Sequence, residues 1–186
     1  MNILLLGGGR SGKSTYAEQL AKNMGGDVLY VATAEAGDEE MQRRIQKHKS
    51  LRPAGWKTLE VTTNVGRGIA ANIGGASVVL IDCITLLVNN ILCAHFNEAG
   101  EQTGSTESVD KQVMVEITRL IETMAGSDAS FIIVSNEVGC GLIPANAMGR
   151  LYSDLLGKTN QMLAGAVDQV YLMVAGLPLR LKPPQD

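Results

Sequence analysis

The stretch Ile3-Leu4-Leu5-Leu6-Gly7-Gly8-Gly9-Arg10-Ser11-Gly12-Lys13-Ser14-Thr15-Tyr16-Ala17 decides the fold. Ile3–Leu6 is a short, wholly apolar run with the character of a strand buried on both faces. Gly7–Ser14 then satisfies the spacing G-x-x-x-x-G-K-[ST]. Ala17, Leu20, Ala21 and Met24 follow at i, i+3, i+4 and i+7, the signature of an amphipathic helix. Strand, glycine-rich loop and helix together make a phosphate cradle. The glycines let backbone N–H groups turn inward around phosphate oxygens, and the helix points its positive end at the same place. The predicted cradle consists of Gly7, Gly8, Gly9, Arg10, Ser11, Gly12, Lys13 and Ser14. Within it, Lys13 supplies charge for the β- and γ-phosphates and Ser14 a hydroxyl for Mg²⁺. The competing reading, a glycine-rich structural turn, leaves the strand and helix around the loop unexplained.

Further along, Val28–Ala32, Val78–Ile81, Phe131–Val134 and Val170–Val174 repeat the apolar strand pattern, with a weaker edge candidate at Thr58–Val61. Helical spacing separates them. Val109, Val113, Ile117, Leu120, Ile121 and Met124 share one face, as do Leu151, Leu155, Met162 and Ala166. Strand–helix alternation predicts an α/β fold: three layers of P-loop NTPase type around a mostly parallel sheet. The end of the chain predicts an antiparallel hairpin, Tyr171–Ala175 and Leu179–Leu181 around a Gly176-Leu177-Pro178 turn. Glu98–Ser108 is polar and reads as a surface loop. With neither repeats nor a linker, residues 1–186 read as a single nucleotide-binding domain.

The charge balance, 16 basic against 19 acidic residues, gives −3 and leaves no basic excess for nucleic acid or an anionic membrane surface. A nucleotide therefore needs locally placed cations. The apolar run before Gly7 is too short to span a bilayer and lacks the marks of a signal peptide. Cys83, Cys93 and Cys140 fit neither a CxxC pair nor a zinc site. They read as free thiols of a reducing, cytoplasmic setting.

Two further residues attract chemistry. Asp82 follows Val78-Val79-Leu80-Ile81, and an acid at the carboxyl end of a buried strand is where a P-loop enzyme holds its metal. The alternative is an N-cap for the next helix. His48 lies on a helical stretch, Asp38–Lys49, that begins acidic and ends basic. Arg43, Arg44, Lys47, Lys49 and Arg52 surround it and favour the neutral, nucleophilic imidazole. By spacing alone, a solvated side chain on a charged helix is the better reading of it. His95, between Ala94 and Phe96, reads as a packed residue.

Taken together, these segments resemble a known family from about Ile3 to Lys182. The resemblance rests on the P-loop, Leu29-Tyr30-Val31-Ala32-Thr33-Ala34, Arg44-Ile45-Gln46-Lys47-His48-Lys49, Arg52-Pro53 and Asp82-Cys83-Ile84-Thr85. Later come Asn89-Asn90, Ser135-Asn136-Glu137-Val138-Gly139, Gly141-Leu142-Ile143-Pro144 and Asn160-Gln161. The family is the bifunctional adenosylcobinamide kinase / adenosylcobinamide-phosphate guanylyltransferase of cobalamin biosynthesis. The resemblance implies two reactions, with ATP or GTP and Mg²⁺. The aminopropanol hydroxyl of adenosylcobinamide is phosphorylated. GMP is then transferred from GTP to that phosphate through a GMP–histidine intermediate, at the position of His48 here. It also implies nucleotide contacts at Ala32, Thr33, Ala34, Lys49, Ser50, Leu51, Arg52, Glu60 and Asp82, and a homotrimer with a corrinoid substrate as its small-molecule partner.

Asn136 and Glu137, at the end of the Phe131–Ser135 strand, are candidates for contacts with substrate or metal-bound water. The rival function is a P-loop NTPase or nucleotide switch without guanylyl transfer. It lacks support where Cys83-Ile84-Thr85 follows Asp82, since no catalytic Gln or Glu stands there. Leu86, Leu87, Ile91 and Leu92 exceed what one helix face needs, a modest hint of self-association.

Overall fold

The structure is a computed structural model that describes residues 1–35, 42, 43, 46, 49, 52–97 and 102–183. Its strands and helices, in order, are β1 (Asn2–Gly7), α1 (Lys13–Met24), β2 (Val28–Ala32), β3 (Lys57–Glu60), α2 (Val65–Asn72), β4 (Val78–Asp82) and α3 (Ile84–Cys93). Then come α4 (Thr106–Ala125), β5 (Ser130–Val134), α5 (Ala147–Ala166), β6 (Gln169–Val174) and β7 (Leu177–Lys182). The seven strands form one sheet in the order β3-β2-β4-β5-β1-β6-β7. All pairs are parallel except β6–β7. The expected mostly parallel α/β sheet with a closing hairpin is therefore what the chain forms.

Strand alternation divides the apolar residues between two layers. Val79, Ile81, Phe131 and Ile133 face the α2–α5 side, with Val113, Ile117, Leu120 and Leu155. Val78, Leu80, Ile132 and Val134 face the other side, where Ala17 and Ala21 of α1 pack. The small alanines let α1 lie close to β1, β4 and β5. That closeness brings the P-loop over the centre of the sheet.

Several details depart from the sequence reading. The hairpin turn is Ala175-Gly176, with φ of 52° and 83°, and not Gly176-Leu177-Pro178. Two successive left-handed residues match the twist of a two-residue hairpin. Leu177 and Pro178 belong to β7, with Pro178 opposite Met173. An edge strand tolerates a residue without an N–H. Of the polar stretch Glu98–Ser108, residues 98–101 lie outside the described residues, and its end from Thr106 is helical, because Ser105 caps α4 by accepting from the Ser108 N–H at 3.1 Å. Leu87, Ile91 and Leu92 are buried inside the chain's own core, so they carry no argument for self-association. His95 is half-buried, with its ring held to Gln112 at 2.6 Å.

Helix α2 carries no clear sequence signal, since Gly66 and Gly68 each cost about 1 kcal/mol of helix propensity. Tertiary contacts impose it. Glu116 of α4 is buried, and its carboxylate accepts from the N–H of Asn64 at 3.0 Å and of Val65 at 2.7 Å. It thus caps the α2 N-terminus from 51 residues away. Gly66 is required because a Cβ there would stand 2.8 Å from the Arg119 carbonyl oxygen. Replacing Glu116 by Ala strands two amides, and we expect a loss of about 2–3 kcal/mol in urea unfolding. Glu116→Gln keeps one acceptor oxygen and should recover part of it.

Candidate nucleotide site

Gly7, at the end of β1, has φ of 149°. A Cβ there would meet the Met173 carbonyl oxygen of β6 at 2.5 Å, so only glycine fits. Arg10 and Gly12 are left-handed, at 59° and 94°, and α1 begins at Lys13 immediately after. The hairpin turn supports the loop from behind. The Gly176 N–H donates to the Ser11 carbonyl at 2.9 Å, and a Cβ on Gly12 would come within 3.0 Å of Gly176 Cα. The second glycine of the motif is thus demanded both by its backbone angle and by the approach of another backbone.

Lys13 is buried, with its ammonium donating to the carbonyls of Gly7 at 2.9 Å and Gly8 at 2.6 Å, and to Ser11 Oγ at 3.4 Å. Burial lowers its pKa, and the nearby Cys83 and Asp82 side chains oppose that shift. The ammonium is therefore held at the mouth of the cradle by oxygen acceptors, where phosphate oxygens can compete for it.

Beside the loop lies a cleft of about 1020 Å³. Its walls come from separate elements: Gly9, Arg10, Lys13 and Ser14 from the P-loop, and Ala32 and Ala34 from the end of β2. Glu60 comes from β3, Asp82 and Cys83 from the end of β4, and Asn136 from beyond β5. Gln42, Gln46, Lys49 and Arg52 add a polar and basic wall. Lys49 is ion-paired with Glu60. Tyr30, Thr62, Thr63 and Thr85 also line the cleft.

Asp82 is not the cap of α3. That position belongs to Cys83, whose side chain makes no capping bond, and the Asp82 carboxylate instead accepts the Tyr30 hydroxyl at 2.9 Å. Burial, the Asp82 charge and that hydrogen bond push the Tyr30 pKa well up, so the phenol stays protonated and acts as a donor. The neighbouring Cys83 thiol is raised to about 11, chiefly by burial and then by Asp82. It is a neutral thiol at physiological pH. None of the described cysteines is in a disulfide.

Thr33 lies behind the wall. Fully buried, it donates to the Cys83 carbonyl at 2.6 Å and accepts the Cys83 N–H at 2.9 Å. Asn90 donates to the carbonyls of Thr33 at 2.9 Å and Thr62 at 3.1 Å, tying the strand-end loops together. Around Asn136, Thr85 Oγ1 accepts the Asn136 N–H at 2.7 Å, and Asn160 donates to the Asn136 carbonyl at 3.0 Å. Asn136 itself lines the cleft. The Glu137 carboxylate is engaged locally, accepting the Gly139 N–H at 2.7 Å.

The structure thus gathers Gly9, Arg10, Lys13, Ser14, Ala32, Ala34, Lys49, Arg52, Glu60 and Asp82 around one cleft. Gly7, Gly8, Ser11, Gly12 and Thr33 shape its supports. His48, Ser50 and Leu51 lie outside the described residues. Sequence reasoning missed Tyr30, Thr62, Thr63 and Asn90. Tyr30 is hidden in an apolar strand, and its only signal is a polar tip facing a strand-end acid.

The sheet order, the P-loop after β1 and the acid at the end of β4 define the P-loop NTPase class. Two solved structures share the fold. The assembled ATPase EscN of the enteropathogenic E. coli type III secretion system aligns over 94% of this chain and 43% of its own, at 12% identity and a TM-score of 0.52. A Pyrococcus horikoshii OT3 protein, PH0250, aligns over 100% of this chain and 87% of its own, at 10% identity and a TM-score of 0.56.

Within that class the match is specific. The family model for cobinamide kinase / cobinamide phosphate guanyltransferase covers residues 3–181, and the chain belongs to that family. The bifunctional adenosylcobalamin biosynthesis protein CobU of Salmonella typhimurium is 38% identical over 98% of this chain and 100% of its own. CobP of Pseudomonas aeruginosa is 38% identical over 98% of each. The enzyme is thus a transferase with the kinase and guanylyltransferase activities of its family.

Lys13→Ala removes the buried ammonium from the cradle. It should weaken GTP binding by about 10–100-fold, the worth of one or two charge-assisted hydrogen bonds, while GMP binding changes far less. Calorimetric titration of both nucleotides measures the difference.

Proposed function

We propose that residues 1–186 act as one catalytic domain that performs both transfers in this cleft, with His48 as the GMP carrier. In the kinase step the aminopropanol hydroxyl of adenosylcobinamide attacks the γ-phosphorus of ATP or GTP. The hydroxyl proton is lost, and the nucleoside diphosphate leaves. In the guanylyl step the neutral His48 imidazole attacks the α-phosphorus of GTP. A P–N bond forms as the bond to pyrophosphate breaks. A phosphate oxygen of adenosylcobinamide phosphate then attacks the same phosphorus and displaces the imidazole, giving adenosylcobinamide-GDP.

The observation that carries this reading is the makeup of the cleft wall. Gln46 and Lys49, which flank His48 in sequence, line the same cleft as Lys13, Ser14 and Asp82. One cavity therefore joins the P-loop to the segment that bears the proposed nucleophile. Lys49 and Arg52 supply the local cations that a chain of net charge −3 needs for a polyanion.

Mg²⁺ fits the donor set. Ser14 offers a hydroxyl, Asp82 a single carboxylate, and phosphates and waters supply the rest, as this ion prefers. When bound, it neutralises charge developing on the phosphates. Ala32, Ala34, Arg52 and Glu60, which line the cleft, are the proposed contacts to the nucleoside and phosphates. Ser50 and Leu51 join them by resemblance. Thr33 acts through the Cys83 backbone. The enzyme is proposed to work as a cytoplasmic homotrimer. Among the described residues no helix is long and apolar enough to cross a membrane.

The test is to incubate the enzyme with Mg²⁺ and GTP labelled at the α-phosphate, then denature it. Retained label that is acid-labile, alkali-stable and absent from His48→Ala establishes the intermediate. An unlabelled enzyme that still binds GTP through Lys13 removes His48 from the mechanism.

A further inference from the structure

Tyr30 is a large polar residue in the middle of β2, one strand in from the sheet edge, and it is almost wholly buried. Strand pairing explains what it reaches. Tyr30 stands opposite Leu80 and Ala32 opposite Asp82, so Tyr30 and Asp82 are diagonal neighbours on one face of the β2–β4 pair. The long phenol spans that diagonal and puts its hydroxyl 2.9 Å from Asp82 Oδ2. The ring is fixed from both ends of the 52–56 segment. The Arg52 guanidinium carbon lies 3.7 Å from its centroid, and Trp56 stacks on it at 6.3 Å and 29°. A phenol clamped in this way has one rotamer and one acceptor.

We propose that Tyr30 is a positioning residue for the metal-binding carboxylate. Its hydroxyl holds Asp82 Oδ2 and so leaves the other oxygen for the ion, in the cleft that Ser14 also lines. The proposal rests on the assignment of Asp82 to Mg²⁺ made above. Without the hydroxyl, the carboxylate is free to turn toward Lys13, which is near enough for the Asp82 charge to raise the lysine's pKa. A metal ligand that must first be pulled from another partner binds its ion less well. Hydrogen bonds to metal-ligating groups are commonly worth about 10–100-fold in metal affinity. Arg52 adds a second connection: its Nε is buried and without a partner among the described residues. The guanidinium that lies over the Tyr30 ring also lines the nucleotide cleft.

The test compares wild type, Tyr30→Phe and Asp82→Asn. Phe keeps the ring under Arg52 and beside Trp56 and removes only the hydroxyl, so the variant keeps its packing. Mn²⁺ replaces Mg²⁺, and its affinity in the complex with a non-hydrolysable GTP analogue is read by electron paramagnetic resonance. Affinity for the analogue without metal is measured alongside. The expected result is about a 10-fold loss of Mn²⁺ affinity in Tyr30→Phe. The loss in Asp82→Asn should be larger, and metal-free nucleotide affinity should be unchanged in Tyr30→Phe. Weak Mn²⁺ binding in Asp82→Asn beside wild-type binding in Tyr30→Phe overturns the positioning role alone. Wild-type Mn²⁺ binding in Asp82→Asn overturns the metal assignment beneath it. An equal loss of metal-free nucleotide binding in Tyr30→Phe makes the residue structural and also overturns the proposal.

Discussion

The parallel ladder through β2, β4, β5 and β1 is the constraint on which the site depends. Its register sets Ala32 opposite Asp82 and Asp82 opposite Val134, so the strands end together at one edge. Gly7 ends β1 at the same edge, and the Glu137 N–H donates to its carbonyl at 3.0 Å. Parallel strands deliver all their carboxyl ends to one side, and α/β enzymes bind ligands there. A slip of one residue between β2 and β4 would turn either Tyr30 or Asp82 to the opposite face.

The edge is then locked by polar groups that replace lost strand pairing. Thr33 and Cys83 exchange two hydrogen bonds where β2 and β4 have ended, and Asn90 fastens Thr33 and Thr62 together. Ser135, Asn136, Thr85 and Asn160 form a second such network beyond β5. Buried polar groups of this kind are costly unless satisfied, and satisfied they fix one arrangement. The cleft therefore has a rigid floor made from loops.

The C-terminal hairpin is part of the same construction. An antiparallel strand at the sheet edge looks like an appendage, yet its turn hydrogen-bonds the P-loop at Ser11 and packs on Gly12. The cradle is held from both sides, by β1 in front and Gly176 behind. That contact explains why φ at Gly12 is positive in a place where nothing larger could stand.

The sequence by itself determined the cradle, the parallel α/β class and the family. These depend on local signals: a fixed glycine spacing, apolar runs of strand length, and helical periodicity. It also marked Lys13, Ser14 and Asp82, because their chemistry is tied to positions at strand ends and helix starts. It misplaced the hairpin turn by one or two residues, since Pro178 reads as a turn residue until an edge strand is there to accept it. Helix α2 was illegible, because its cap is Glu116, distant in sequence. Leu87, Ile91 and Leu92 looked surplus only until α4 and α5 were packed against them. Only the tertiary structure brought Tyr30 to Asp82. In sequence it is one more large residue in a buried strand, and its partner acid is 52 residues away. Side-chain chemistry and local period can be read along a chain, whereas contacts between distant segments exist only once the sheet has set their register.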